Sequence, residues 1–143
     1  MKSLIKYEGR VGIKGSYIIL LENSHDKELE VGKLGEIYFR RGFYAYVGSA
    51  MSGIEARIAR HLRVEKKTFW HIDYILPEMK VLGLIFAELE GKYECVLAEE
   101  LSSSFDIIDS FGSSDCKCRS HLFFCPDYER LHKGAFRAFL LIP

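Results

Sequence analysis

The sequence predicts a small α/β domain, in which helices flank a central, partly antiparallel sheet. Three observations support this fold class. The chain has 143 residues, 48% of them hydrophobic, and can therefore bury one sizeable core. Short runs of strand-forming residues lie between turn signals. Other segments show the apolar spacing of helices, and strands and helices follow one another in an order that suits one domain over residues 1–143.

The first half of the chain contains three predicted strands. Residues 15–22, GSYIILLE, form a run that is typical of a strand buried on both faces. A polar turn at 23–27 follows. Further strands are predicted at 36–39 and at 43–48, where the sequence reads FYAYVG.

The first predicted helix has a clear start signal. Ser52 followed by Glu55 fits a capping box with Ser52 as the N-cap. Apolar residues then recur at four-residue intervals, which predicts a stripe facing the core. The stripe consists of Ile54, Ile58 and Leu62. Arg57 and His61 are also four residues apart, so they share another face of this helix.

The second half is predicted to begin with a helix at 68–76, TFWHIDYIL, that stops before Pro77. A buried strand is predicted at 81–89 and a helix at 93–104. Residues 112–143 form a Cys/His-containing C-terminal extension that starts with a Gly/Ser/Asp/Cys loop.

Within this extension, PDYERLHKG predicts a short helix with Pro126 at its first position. The final nine residues, AFRAFLLIP, fit either a strand or a helix.

The charges balance at 20 basic and 20 acidic residues, which counts against a histone-like nucleic-acid binder and an acidic disordered tail. They are nevertheless segregated. Residues 51–70 hold five cations and two carboxylates, whereas residues 78–109 hold eight carboxylates and two lysines. The basic segment could form a face for nucleic acid, or both blocks could be ordinary solvated helix faces.

The sequence shows neither a membrane-spanning run nor a secretory signal, which predicts a cytoplasmic location. No apolar run approaches the roughly 20 residues that span a bilayer. The N-terminus, MKSLIKYEGRVGIKG, interrupts its apolar runs with charges, unlike a secretory signal. We therefore expect a cytoplasmic protein without a membrane partner, whose four cysteines stay reduced.

Three short motifs occur in one order: GSY at 15–17, YVG at 46–48 and RIARH at 57–61, followed downstream by Glu94. Together they resemble the GIY-YIG nuclease superfamily, most closely in YVGSA and RIARH. The motifs cover about residues 15–98. The surroundings, such as WHIDY and YEC, resemble a largely archaeal branch that is sometimes fused to base-excision-repair enzymes.

The resemblance implies a metal-dependent endonuclease that hydrolyses a phosphodiester bond of nucleic acid in repair, with DNA favoured over RNA. It implies Tyr17 and Tyr46 as the two strand tyrosines, Arg57 and His61 as the helix pair, and Glu94 as the ligand of Mg²⁺ or Mn²⁺. This chemistry suits the residue types. A guanidinium can bind two phosphate oxygens, and a carboxylate is the hard oxygen ligand that Mg²⁺ prefers. A tyrosine could orient the attacking water while the metal or His61 helps to receive its proton.

The chain departs from the motif in two places. Ser16 stands where the family has isoleucine, and 29 positions separate Tyr17 from Tyr46, more than a short hairpin needs. The stretch 29–42 is therefore expected to form an extra strand or an elongated loop. Glu99 and Glu100 are rival metal ligands, because only the YEC context selects Glu94.

Further residues are expected to contact the substrate because they adjoin the motifs or lie in the basic segment. They are Gly48, Ser49, Arg60, Arg63, Lys66, Lys67 and His71. For His71 two interpretations stay open: it lines the cleft, or it has a hydrogen-bond partner while Trp70 fills the core. Asp73 lies two residues further on, on a different face of the helix.

Four soft metal ligands lie within ten residues of the C-terminal extension, which suggests a zinc site. They are Cys116, Cys118, His121 and Cys125, with Cys95 as a substitute. The C-x-C spacing is tight for one ion, so buried reduced thiols or a disulfide from Cys95 to the loop are alternatives. Asp115 and His121 could instead reach the active cleft.

Two other functions compete with the nuclease. One is a catalytically silent nucleic-acid-binding module, and the other is a small zinc-stabilised interaction protein. Phosphate binding alone needs only cations, so two tyrosines, a histidine and a glutamate in motif order favour the enzyme. A repair protein or a second copy of the chain is a further candidate partner.

Overall fold

The computed structural model describes residues 12–114 and 116–143. Its strands are β1 (Gly15–Asn23), β2 (Lys27–Glu30), β3 (Glu36–Phe39), β4 (Gly42–Ala50), β5 (Lys80–Glu88), β6 (Asp106–Ile107) and β7 (Leu122–Cys125). Its α-helices are α1 (Ile54–Leu62), α2 (Ile72–Ile75), α3 (Glu94–Ser102) and α4 (Tyr128–Leu140). Residues 1–11 and Asp115 are outside the described residues. Most of the N-terminal segment that we expect not to be a secretory signal lies in 1–11.

Within the described residues, the central sheet has five strands in the order β5-β1-β4-β7-β6, and four helices flank it. Every neighbouring pair is antiparallel, so the sheet is antiparallel throughout rather than in part. Strands β1 and β4 pair directly along their whole length, with Tyr17 opposite Gly48 and Ile19 opposite Tyr46. The predicted fold class is confirmed.

The long segment between the first two motifs forms an extra hairpin. Strands β2 and β3 make a separate two-stranded sheet, joined by a 3₁₀ turn at Gly32–Leu34. The strand predicted at 36–39 has these bounds but lies outside the central sheet. Val31 and Phe39 are fully buried, so the hairpin folds onto the core and leaves the β1–β4 pairing intact.

Two hydrophobic cores lie on opposite faces of the sheet, because successive strand side chains alternate in direction. In β1, Tyr17, Ile19 and Leu21 face α1, α2 and the hairpin. Ile18 and Leu20 face α3 and α4. This explains why the first strand has no polar face.

Helix α1 begins differently from the prediction. Its N-cap is Gly53, with φ of 136° and no side-chain cap, so the capping box at Ser52 is wrong. The Glu55 carboxylate instead accepts a hydrogen bond from the Ile13 N–H at 2.8 Å, which anchors the chain leading into β1. Leu62, assigned to the apolar stripe, is exposed at the end of the helix.

The predicted helix at 68–76 is shorter, because α2 covers four residues before a 3₁₀ turn, Leu76–Glu78, that includes Pro77. Strand β5 is an edge strand with partly exposed Leu84 and Phe86, not a buried one. No helix in the described ranges is long and apolar enough to cross a membrane.

The C-terminal extension holds a strand that the sequence did not reveal, β7, followed by one long helix. The N-cap of α4 is Asp127, whose carboxylate accepts from the N–H groups of Glu129 and Arg130. Pro126 therefore precedes the N-cap and is not the first helical residue. The undecided residues from 135 onward continue this helix to Leu140.

Candidate functional site

A cleft of about 400 Å³ collects side chains from β1, β4, α1, α3 and the loop between β6 and β7. All five residues that the motifs select line it: Tyr17, Tyr46, Arg57, His61 and Glu94. Gly48, Ser49 and His71, expected to contact the substrate, line it as well. Residues that are up to 77 positions apart in the sequence thus meet in one place.

Tyr17 is held by the fold from two sides. Its hydroxyl makes a buried hydrogen bond of 3.0 Å with Nε2 of His61. Its ring lies over Gly48, its partner on β4, where a Cβ atom would come within 2.5 Å of the ring. Glycine in YVG is therefore what allows Tyr17 to lie in the cleft wall.

Burial shifts the pKa values of this pair in opposite directions. Burial raises the pKa of Tyr17 to about 12, although the nearby Arg57 guanidinium acts to lower it. Burial lowers the pKa of His61 to about 4. Both groups are therefore neutral at pH 7. Nδ1 of His61 is buried without a hydrogen-bond partner within the described ranges.

Arg57 is fixed at the cleft wall by two contacts. Its guanidinium donates to the Ser49 carbonyl at 3.0 Å. It also lies over the Trp70 ring, 4.6 Å from the ring centre. The planar guanidinium carries five N–H donors, so this position leaves it able to bind an anion in the cleft.

Ser16 links the two halves of the site. Its hydroxyl is 2.7 Å from that of Ser49 and accepts a hydrogen bond of 3.2 Å from the Tyr93 N–H. Tyr93 is the N-cap of α3, and Glu94 is the first residue of that helix. The Ser16 side chain thus connects the β1–β4 pair to the start of α3.

Glu94 is distinguished from its rivals by its position in the fold. It lies in the first turn of α3 and lines the cleft, whereas Glu99 and Glu100 lie further along the helix and do not. A carboxylate at a helix N-terminus is stabilised by the helix dipole. Glu94 is also close enough to Tyr17 for its charge to act on the pKa of the tyrosine.

A cluster of sulfur and imidazole ligands lies beside the cleft. One ligand atom from each of Cys95, Cys116, Cys118 and His121 lies within 4.8 Å of the others, so the cluster could hold a metal ion. The prediction of Cys125 as a ligand is wrong, because Cys125 is buried on β7 in the core that faces α3 and α4. Cys95 takes its place, and all four cysteines are free thiols.

Comparison with known proteins adds one match. Residues 16–141 match the model of a family described as a domain of unknown function, DUF123. The chain belongs to the DUF123 family. No curated protein and no solved structure matches the chain. The DUF123 match spans every residue of the cleft and of the cysteine cluster.

Both interpretations of His71 apply in this DUF123 domain. The residue lines the cleft, and its Nδ1 accepts a hydrogen bond of 2.7 Å from the Gly112 N–H. Burial lowers the pKa of His71. Because Nδ1 accepts this bond, the neutral ring carries its proton on Nε2. His121 lines the cleft, the alternative that the sequence left open, and it also belongs to the cysteine cluster. Asp115 lies outside the described residues.

The cleft contains residues that the motifs did not identify. Lys92 lines it two residues before Glu94, and Phe69 lies at its edge with 75% of its surface exposed. Phe69 packs edge-on against Trp70 at 5.3 Å between ring centres. The aromatic pair in TFWHIDY was the available signal for Phe69.

The other predicted cations do not line the cleft. Arg60 donates to both carboxylate oxygens of Asp73 at 3.0 Å. Lys66 donates to the carbonyls of His61 and Arg63. Arg63 and Lys67 are exposed outside the cleft. Much of the basic segment in this DUF123 domain therefore stabilises the chain around α1.

Proposed function

We propose that this DUF123 chain is a metal-dependent endonuclease of the GIY-YIG type that hydrolyses nucleic-acid phosphodiester bonds, DNA being favoured, in repair. The observation that carries the proposal is the meeting of all five motif residues in one cleft. The five residues come from four elements, β1, β4, α1 and α3. Residues that resembled the motif only by chance would not be expected to converge in this way.

Phosphodiester hydrolysis requires a water to attack phosphorus while the bond to the leaving oxygen breaks. The Arg57 guanidinium lines the cleft and would bind the non-bridging phosphate oxygens and stabilise their charge. Tyr17 would orient the attacking water. When the Tyr17 hydroxyl donates its hydrogen bond to Nε2 of His61, the lone pairs of the tyrosine oxygen can accept a hydrogen bond from that water.

The residues of the cleft fit a hard divalent cation. Among the described residues that line it, Glu94 is the only carboxylate. Mg²⁺ commonly binds one or two carboxylates and completes its shell with waters and phosphate oxygens. Held by Glu94, Mg²⁺ or Mn²⁺ would supply positive charge beside the phosphate. For the cysteine cluster beside the cleft we propose zinc instead.

The edge of the cleft suits a nucleic acid with an accessible base. Exposed Phe69 offers an aromatic face on which a base can stack, and Lys92 offers a cation for the backbone. With zero net charge, the chain should bind nucleic acid weakly without this local recognition. We therefore propose that substrate shape, a repair protein or a second copy of the chain supplies the remaining affinity.

The proposal is tested by incubating the purified chain and Mg²⁺ or Mn²⁺ with labelled duplex, branched, damaged and single-stranded DNA and with RNA. We expect cleavage of at least one substrate. The substitutions Arg57→Ala and Glu94→Gln should each lower the rate about 100-fold or more, because each removes a group that stabilises transition-state charge.

Glu99→Gln is the matched control, since Glu99 lies on the same helix outside the cleft. It should cleave within twofold of the wild-type rate. If the folded wild-type protein cleaves no substrate but binds nucleic acid in a salt-sensitive manner, the silent binding module is the correct function.

A further inference from the structure

The cysteine cluster joins two parts of the chain that are distant in sequence. Cys95 lies in the first turn of α3, next to Glu94. The other three ligands, Cys116, Cys118 and His121, lie on the loop that connects β6 to β7. Any ion held by all four would therefore tie the start of α3 to this loop.

The spacing of the ligand atoms fits one tetrahedral ion. With Zn–S near 2.3 Å and Zn–N near 2.0 Å, tetrahedral angles place the ligand atoms about 3.5 to 3.8 Å apart. Cys116 Sγ and His121 Nε2 are 3.4 Å apart, and all four ligand atoms lie within 4.8 Å of one another. Small side-chain movements therefore suffice to close the shell.

The donor set selects the kind of metal. Three sulfurs and one imidazole are soft or borderline ligands, which favour zinc over Mg²⁺ or Ca²⁺. An iron–sulfur cluster spreads its ligands over at least two irons, whereas these four surround a single point. Four protein ligands also leave no open position, as in structural rather than catalytic zinc sites.

The described part of the loop is anchored at its base by burial and by backbone hydrogen bonds. Phe111 is buried, and backbone hydrogen bonds of 2.7 Å join Ser110 to Arg119 and Phe111 to His121. Between these anchors the sequence is GSSDCKC, with no large apolar side chain. Ordering such a segment costs conformational entropy that a metal crosslink can offset.

We propose that Cys95, Cys116, Cys118 and His121 form a structural zinc site that fixes the position of Glu94 in the cleft. Cys116 and His121 line the cleft themselves, and Gly112 on the same loop donates to His71. The zinc would therefore set the distance between Glu94 and the loop wall of the cleft. The effect on Glu94 rests on the proposed function, whereas the zinc site does not.

The site is tested by elemental analysis of the full chain purified without chelator. We expect about one zinc per chain, and less than about one tenth in Cys95→Ser and in Cys118→Ser. Cys125→Ala is the matched control, since Cys125 lies in the core outside the cluster, and it should keep its zinc. Zinc below one tenth of an equivalent in wild type after incubation with zinc sulfate, or iron in its place, would overturn the proposal.

Cobalt titration of the wild-type chain keeps the test independent of how the variants fold. One equivalent of Co²⁺ should produce the visible bands of a tetrahedral thiolate site, and their absence would contradict it. If cleavage is found, Cys95→Ser should raise the Mg²⁺ concentration for half-maximal rate about tenfold, as lost support of a ligand does. An unchanged Mg²⁺ requirement would refute the effect on Glu94, while zinc without any cleavage would refute only the proposed function.

Discussion

Tyr17 and His61 form a hydrogen-bonded pair whose pKa values lie far apart, at about 12 and about 4. Moving a proton from the tyrosine to the histidine would cost on the order of 10 kcal/mol, since each pKa unit corresponds to about 1.4 kcal/mol. Both groups are therefore neutral in the free protein, and in the proposed mechanism Tyr17 would act by its position and not as an ionised base. Positive charge brought to the cleft would lower this cost, as Arg57 already does.

The position of Tyr17 depends on the glycine opposite to it, which leads to a prediction for Gly48→Ala. The added methyl group would lie 2.5 Å from the Tyr17 ring, so the ring must shift and its bond to His61 must weaken. We expect a loss of about 1–3 kcal/mol in the free energy of unfolding, as for overpacking elsewhere. Urea denaturation measures this loss.

The matched control is Gly83→Ala on β5, where a Cβ would meet no atom within 4 Å. It should change stability by less than about 0.5 kcal/mol. Equal effects of the two substitutions would show that Gly48 has no special role in seating Tyr17.

At the scale of elements, the segment before α2 is organised by one carboxylate. Asp73 is buried and accepts hydrogen bonds from the backbone N–H groups of Phe69 and Trp70 as well as from Arg60. These bonds lower the pKa of Asp73 despite its burial. Because the guanidinium groups of Arg57 and Arg60 both lie over the Trp70 ring, the same carboxylate helps to position Arg57, the arginine that we propose to bind phosphate.

We predict that Asp73→Asn destabilises the fold by about 3 kcal/mol, because it leaves the charge of Arg60 without its partner in a largely buried setting. Asp106→Asn is the control. Its partner Arg40 is half exposed, so this substitution should cost less than about 1 kcal/mol. Thermal or urea unfolding of both variants decides the matter, and a loss below 1 kcal/mol for Asp73→Asn would contradict the prediction.

Sequence reasoning located the main elements because their signals are local. Uninterrupted apolar runs marked β1 and β4, and helical periodicity marked α1 and α3. It failed where a distant contact decides the outcome. Glu55 bonds to Ile13 instead of capping α1, and β7 is a four-residue strand in which all side chains are buried, so no alternation marks it.

The site was predictable to a similar degree. Motif order identified the five residues of the cleft, but no pattern in the basic segment showed which cations face it. Arg60 is distinguished from Arg57 only by the tertiary position of Asp73. Cys95 and Cys125 likewise could not be ranked as ligands without knowing that β7 turns its cysteine into the core.

At the scale of the whole molecule, the net charge is zero, and several of the cations are bonded to other groups of the chain. Arg60 and Lys66 are engaged within the chain, and Lys92 and Arg57 face the cleft. Few cations of the basic segment therefore remain to bind nucleic acid without specificity. If the proposed nuclease function is correct, this favours recognition of a local structure over sliding along duplex DNA.

Buried His61 makes the stability of the whole fold depend on pH. Its pKa is about 4 in the folded chain against 6.5 when unperturbed, so between these values the unfolded chain binds a proton that the folded chain does not. Its contribution is present above pH 6.5 and is lost as the pH falls towards 4. Burial lowers the pKa of His71 as well, which acts in the same direction.

We therefore predict that the free energy of unfolding falls by about 2 kcal/mol between pH 7 and pH 5. Urea denaturation across this range measures it. In His61→Gln the fall should be clearly smaller, because the glutamine cannot take up a proton on unfolding. A wild-type stability that stays constant from pH 7 to pH 5 would mean that His61 is not held neutral by its burial, and its role as the acceptor for Tyr17 would then have to be abandoned.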